Sequence, residues 1–263
     1  MSIDASLWQR IQTLAADGYR ESGHFPLRFA RGKLGHDPLF RDVLALLSGI
    51  RREERLKLLD LGCGQGLLEA ALLAYQRLAV SGEDGAPPRL PLSSAKGYDL
   101  MQHNVAWARA MLAHGVDTPF EVAISQGDIG QLEIESSDIC CLFDVLHYID
   151  FATQESLLKR IYAALNENGQ LLMRVGDAAR WRQKASNLVD RVVVMLRGHG
   201  WQPLYVRPQK DWVDLLARMG FEVKTVKTYI SFTRANTLVQ CMKTGNRDAV
   251  LGEQSSNEYK KTI

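Results

Sequence analysis

Hydrophobic and polar positions along the chain change period several times, and each change predicts an element. Residues 4–19 carry Leu7, Ile11, Leu14 and Ala15 at helical spacing, which predicts an amphipathic helix. Residues 21–34 mix aromatic and basic side chains with Gly23, Pro26 and Gly32, and read as a loop. Asp37 and Pro38 then suit the start of a second helix, an acid at the cap with proline at the first helical position. Leu58-Leu59-Asp60-Leu61 reads as a buried strand, and the apolar run from Leu67 to Tyr75 as a helix behind a glycine-rich turn.

The segment 81–91 is rich in glycine and proline and predicts an exposed loop. Strands follow over 96–101, 119–124 and 138–143, with a helix over 102–114. The run Ile139-Cys140-Cys141-Leu142-Phe143 is continuously apolar, as in a central parallel strand buried on both faces. A helix over 153–165 ends at Asn166-Glu167-Asn168-Gly169, and Gln170 to Val175 form a fifth strand. After an interruption, residues 211–220 read as a helix with Gly220 at its C-cap, and 221–226 and 237–242 as a closing strand pair. Strands alternating with helices, joined by right-handed crossovers, give an α/β fold with a doubly wound parallel sheet.

The turn Gly62-Cys63-Gly64-Gln65-Gly66 lets backbone approach a ligand closely, because no Cβ intervenes and positive φ costs little. The helix behind it points free N–H groups the same way. Leu67 stands where a dinucleotide fold places its third glycine, which disfavours a nicotinamide-dependent dehydrogenase. Asp99, at the end of the second strand, suits the ribose hydroxyls, since a carboxylate can accept from both. Glu83 fits the usual offset of about 20 residues better, but no strand precedes it.

The motif Asp60-Leu61-Gly62-Cys63-Gly64-Gln65-Gly66 resembles the nucleotide loop of class I S-adenosylmethionine-dependent methyltransferases. Two further segments share the likeness, Gly127-Asp128-Ile129 and Asp144-Val145-Leu146-His147. The resemblance spans residues 37–242. It implies a seven-stranded, mostly parallel Rossmann-like sheet whose last strand runs antiparallel, with S-adenosylmethionine as cofactor. It also implies cofactor contacts from Asp60, Gly62, Cys63, Gly64, Gln65, Gly66, Asp99, Leu100, Gly127, Asp128, Ile129, Phe143, Asp144 and Val145. Asp128 would accept from the adenine amine while Ile129 packs on the ring; the plainer reading is that Asp128 caps a turn. Phe29-Ala30-Arg31-Gly32-Lys33-Leu34 is similar to methyltransferases of aryl polyene or other polyketide-like pathways.

Within that frame His147 is the candidate base, since an imidazole titrates in the useful range, with Tyr148 or Arg174 orienting the acceptor. A satisfied buried imidazole is the alternative. N-terminal helices in the family fold over the cofactor, so Tyr19, Phe29, Arg31 and Lys33 are candidates to meet substrate or the methionine carboxylate. A solvated basic loop with two packed aromatics accounts for them equally. Trp181, Trp201, Tyr205 and Arg207 are candidate linings of a specificity lid, against ordinary packing inside a lid helix. The expected organisation is a helical cap over 1–50, a cofactor domain over 51–243 with a lid insertion at 177–210, and a flexible tail over 244–263.

Composition narrows the function classes. The chain has 263 residues, 46% hydrophobic and 24% charged, and a net charge of +2, which recruits neither nucleic acid nor an anionic membrane. Cys63, Cys140, Cys141 and Cys241 have no zinc spacing, so no metal is expected, and their pattern suits a reduced cytoplasmic protein. No basic and apolar leader opens the sequence, and no apolar run approaches the roughly 20 residues that span a bilayer. The expected activity is methyl transfer to oxygen or carbon of a small-molecule or carrier-bound acceptor. A non-catalytic cofactor-binding regulator and an RNA methyltransferase are the alternatives, and the oligomeric state stays open.

Overall fold

The computed structural model describes residues 3–83, 85–113, 120–176, 204–226 and 236–244. Its centre is β1 (Leu56–Leu61), flanked by β2 (Leu92–Asp99) and β4 (Ser137–Phe143), both parallel to it. With β3 (Glu121–Gln126), β5 (Leu165–Gly176), β6 (Phe221–Val226) and β7 (Asn236–Lys243), the sheet has seven strands in the order β3-β2-β1-β4-β5-β7-β6. Only β7 runs antiparallel to its neighbours, between β5 and β6. The order reverses between β1 and β4, so a crevice opens beyond the carboxyl ends of those strands.

Neighbouring strand residues serve opposite faces, which is why the central strands are apolar throughout. Leu58, Cys141 and Leu172 face a core shared with α1 (Ala5–Asp17), α2 (His24–His36), α3 (Leu39–Ser48) and α4 (Leu67–Val80). Leu59, Cys140, Leu142 and Leu171 face the other core, with α6 (Phe151–Ala164) and α7 (Gln209–Arg218). Under the edge near β3, α5 (Gln102–Ala113) adds Val105 and Ala108 beside Cys63 and Ile124. No helix among the described residues is long and apolar enough to cross a membrane.

Local chemistry explains several boundaries. Asp4 accepts from the Leu7 amide at 2.8 Å to open α1, and Asp150 accepts from Ala152 and Thr153 at 3.0 Å to open α6. The expected loop over 21–34 is instead mostly α2. Pro26 lies in its first turn, where a missing N–H costs nothing, and Pro26, Ala30 and Leu34 recur every fourth residue on one buried face. Lys33 and His36 fall in the last turn, where cations complement the helix dipole. The expected stop at 166–169 lies inside β5, whose register shifts opposite Ser137 to Ile139 while Asn168 takes φ 57°. Trp181, Trp201, nearly all of the expected lid and nearly all of the expected tail lie outside the described residues.

Candidate active site

The crevice is a cavity of about 510 Å³, within the range of small-molecule sites. Its floor is the glycine turn. Gly62 and Cys63 amides both donate to the Tyr98 carbonyl, at 2.8 and 3.0 Å, which ties the turn to β2. Gly62 has φ 79°, and a Cβ there would stand 2.8 Å from Val145 Cγ2. Gly66 has φ 78°, and its Cβ would meet Ile124 Cδ1 at 2.7 Å. Both positions therefore require glycine twice over, by backbone conformation and by space. Gly64 has φ 59° and open space at its Cβ position.

Asp99 organises the rim of the turn. Its Oδ2 accepts from the Gly64 amide at 2.9 Å, and Oδ1 accepts from the Met101 amide at 2.9 Å and Asn104 Nδ2 at 3.0 Å. A carboxylate has about four acceptor sites, so capacity is left for a ligand hydroxyl. Glu83, the other acid weighed for ribose, pairs with Arg10 on the surface at 2.5 Å. Asp128 caps a turn through the Gly130 amide at 2.8 Å and also lines the crevice, with Gly127 and Ile129 beside it. Leu100, Phe143, Asp144 and Val145 complete that wall, with Asp60, Cys63 and Gln65 below.

Across the opening, α2 forms a roof. Phe25, Phe29 and Lys33 fall four residues apart and all line the crevice. Phe25 stacks on Phe29 at 6.3 Å and meets Trp107 of α5 at 5.6 Å, which in turn meets His103 at 4.9 Å. None of Phe25, His103 and Trp107 was singled out in the sequence. The signal was the spacing of His103 and Trp107 on the helix that leaves Asp99.

At the far end lies a buried ion network. Arg174 of β5 donates through both Nη1 contacts to Asp37 at 2.7 Å, and through Nε to Asp144 at 2.6 Å, with Nη2 on the second Asp144 oxygen. Lys33 Nζ lies 2.8 Å from Asp37 and 3.3 Å from Asp144. Burial alone would raise both carboxyls, but Arg174 and Lys33 outweigh it and hold them below the ordinary carboxylate range. Asp144 takes φ 54°, uncommon outside glycine, and the network holds it there. Arg174 lines the crevice, but its guanidinium is engaged by two carboxylates rather than aimed at an acceptor.

Other expected site residues are placed differently. Tyr19 is fully buried beneath the turn, where α1 rests on α4, and its hydroxyl donates to the Gln65 carbonyl at 2.7 Å. Gln65 Nε2 donates to the Pro26 carbonyl at 3.0 Å, so Tyr19 and Gln65 together fasten turn to roof. Arg31 points away from the crevice, about half exposed and 3.7 Å from Asp17. Gly66 underlies the turn without reaching the wall. Arg207 clamps its segment to α6 through Gln154 at 3.0 Å and Glu155 at 2.9 Å, with its guanidinium over Phe151. Tyr148 lines the crevice, whereas His147 lines a much smaller cavity with Tyr205 and Trp212.

His147 thus stands beside the residues that line the crevice, its ring 4.0 Å from that of Tyr148, and not among them. His147→Gln is expected to keep turnover within about tenfold of the parent, because general bases typically contribute 10²–10⁴-fold. A loss of a hundredfold or more in single-turnover assays, with cofactor affinity intact, would restore the base role.

Residues 33–226 match the methyltransferase domain family, across the glycine turn, the crevice wall and β1 to β6. The chain belongs to this family. As a class I, S-adenosylmethionine-dependent methyltransferase it also resembles curated proteins. Carboxy-S-adenosyl-L-methionine synthase of Actinobacillus succinogenes is 26% identical over 73% of this chain and 75% of its own. The Aeromonas salmonicida protein of the same name is 22% identical over 86% and 87%. Among solved structures, magnesium protoporphyrin IX methyltransferase from Synechocystis, with bound S-adenosylhomocysteine, superposes with a TM-score of 0.55 at 17% identity, covering 91% of this chain and 99% of that one. An O-methyltransferase family 2 protein from Planctomyces limnophilus, in complex with apigenin, gives 0.55 at 18% identity, covering 87% and 62%.

The methyltransferase's crevice fits its cofactor. The turn offers open space at the Gly64 Cβ position, Asp99 presents a carboxylate at the β2 end, and Asp128 and Ile129 offer an acceptor beside an apolar surface. S-adenosylmethionine supplies an activated methyl on sulfur, and the chain's task is to orient both reactants and exclude water.

Proposed function

We propose that the protein methylates oxygen or carbon of a neutral, apolar or aromatic small molecule, free or carrier-bound. The observation that carries this reading is the roof. Phe25, Phe29, Trp107, Phe40 and Tyr148 converge on one crevice, offering flat apolar surface to an acceptor. Charge supports the same choice. Lys33 and Arg174 line the crevice, and both are matched by Asp37 and Asp144, so neither is a free partner for an anionic acceptor. The curated relatives named above are synthases of a carboxyl-bearing cofactor; the same matching favours simple methyl transfer over that reaction here.

The reading places the cofactor on Asp60, the turn, Asp99, Leu100, Gly127, Asp128, Ile129 and Phe143 to Val145, with the acceptor under α2. We place the protein in the cytoplasm, supported by four unpaired, buried cysteines, and expect neither nucleic acid nor membrane as partner. The described part of the expected organisation is compatible with a helical cap followed by a cofactor domain.

The test is an incubation of the protein with methyl-labelled S-adenosylmethionine and fractionated metabolites, read by mass spectrometry. A labelled small molecule heavier by one methylene, with S-adenosylhomocysteine as spent cofactor, is the expected result. Label in RNA, or a carboxylated cofactor as product, would overturn the reading. Once an acceptor is in hand, Phe29→Ala is expected to raise its KM about tenfold or more while cofactor affinity changes little, as loss of a large aromatic contact with the acceptor implies.

A further inference from the structure

Glu69 is the one acid in α4, a mostly apolar helix, and the proposed function makes no use of it. It sits in the first turn of α4, fully buried, and neither carboxyl oxygen has a hydrogen-bond partner outside the residue itself. Room for it comes from glycines: a Cβ at Gly97 would stand 2.7 Å from Glu69 Oε1, and one at Gly66 would stand 3.6 Å from Oε2. A buried, unpartnered carboxylate is costly, so the group is held neutral or waits for a cation.

The titratable groups around it are Asp60 on β1, Cys63 in the glycine turn, Tyr19 just after α1 and Cys141 on β4, each influenced by Glu69, with Asp99 of β2 acting on Asp60 and Cys63. From α5 and β3, Ala108 and Ile124 approach the same turn and bring no charge. Among the described residues, no Lys, Arg or His acts on Glu69, Asp60 or Cys63. Asp60 connects it to the ligand, because Asp60 is only 3% exposed yet lines the crevice. Burial pushes Glu69 up to about 7, and burial, then Glu69 and Asp99, push Asp60 well above its ordinary value.

Methyl transfer changes the ligand's charge at this place. S-adenosylmethionine carries a sulfonium, an ammonium and a carboxylate; after transfer the sulfur is a neutral thioether and one positive charge has gone. We propose that Asp60 and Glu69 act as a proton-linked counter-charge, releasing one proton to solvent when the charged cofactor binds and taking it back once the methyl has left. The pair thereby favours the charged cofactor over its spent form, and the more so as pH rises. By linkage, a ligand that draws a proton off the pair binds more tightly where that proton is already scarce.

The inference rests on the crevice being the S-adenosylmethionine site, and one calorimetric experiment separates the two claims. Full-length protein is titrated with S-adenosylmethionine and with S-adenosylhomocysteine between pH 6 and 8, in buffers of different ionisation enthalpy. The expected result is proton release with the first ligand, little with the second, and an affinity ratio that rises about three- to tenfold over that range. Glu69→Gln is expected to remove the rise while retaining S-adenosylhomocysteine binding; the ligand's own amine titrates alike in both proteins, so their difference isolates the carboxyl. Equal proton release with both ligands, or an undiminished rise in the variant, overturns the counter-charge while leaving the cofactor site intact. Binding of neither ligand overturns both. Should the variant fail to fold, the wild-type comparison of proton release decides alone.

Discussion

Arg174→Met is expected to destabilise the protein by about 3–5 kcal/mol, the usual consequence of removing one partner of a buried charge network. The side chain is 8% exposed and grips both Asp37 and Asp144 through its three guanidinium nitrogens, where Lys33 offers each acid a single ammonium contact. Without it two carboxylates remain with Lys33 alone. For a chain of this size the thermal midpoint is expected to fall by roughly 10 °C. The pH dependence gives a second, independent readout. Both acids have depressed folded values, so their stabilisation is complete above the unfolded carboxylate range and is lost as pH falls toward the folded ones. Wild-type stability should therefore decline on acidification, while the variant, relieved by protonation of its stranded acids, should decline less. Adding Asp144→Asn to Arg174→Met should recover part of the loss, as expected for directly coupled residues. A midpoint within about 2 °C of wild type would show that the network contributes little.

Asp99→Ala is expected to weaken binding of S-adenosylhomocysteine by about a hundredfold or more. A hydrogen bond to a charged group contributes about 1.5–3 kcal/mol, and Asp99 keeps an acceptor site for a ribose hydroxyl. The same carboxylate holds Gly64, Met101 and Asn104, so its removal also loosens the rim of the turn. Asp99→Asn keeps much of that local bonding with less charge, and should fall between wild type and the alanine variant. Calorimetric affinities of all three, compared with their melting temperatures, separate ligand contact from structural support. An alanine variant that binds within about threefold of wild type would remove Asp99 from the ribose site.

The glycine turn and the sheet were legible in the sequence because each rests on local rules. Positive φ at Gly62 and Gly66 leaves a composition mark, and burial on both faces leaves continuous apolar runs such as 139–143. Asp99 could be preferred to Glu83 because a strand ends at one and not at the other, and the structure has Glu83 on the surface beside Arg10. The roof was harder to read. Glycine and proline in residues 23–35 mask a helix whose faces become distinct only when Pro26, Ala30 and Leu34 find the core and Phe25, Phe29 and Lys33 find the crevice. Tyr19 looked like a ligand contact because its depth depends on α1 meeting α4, a contact between distant segments. Arg174 looked like an orienting group for the same reason: its partners come from the start of α3 and the end of β4, which no local pattern links.

The helices α1 to α3 precede the sheet in the chain, and that order has a consequence for biogenesis. During synthesis α1 leaves the ribosome before α4, the surface on which it rests, has been made. Its Trp8, Ile11 and Ala15 stripe must therefore wait in water or on a chaperone until α4 emerges. Early translational arrest should yield nascent chains that are bound by holdases and readily cut by protease, with protection arriving only once the segment through Val80 is outside the exit tunnel.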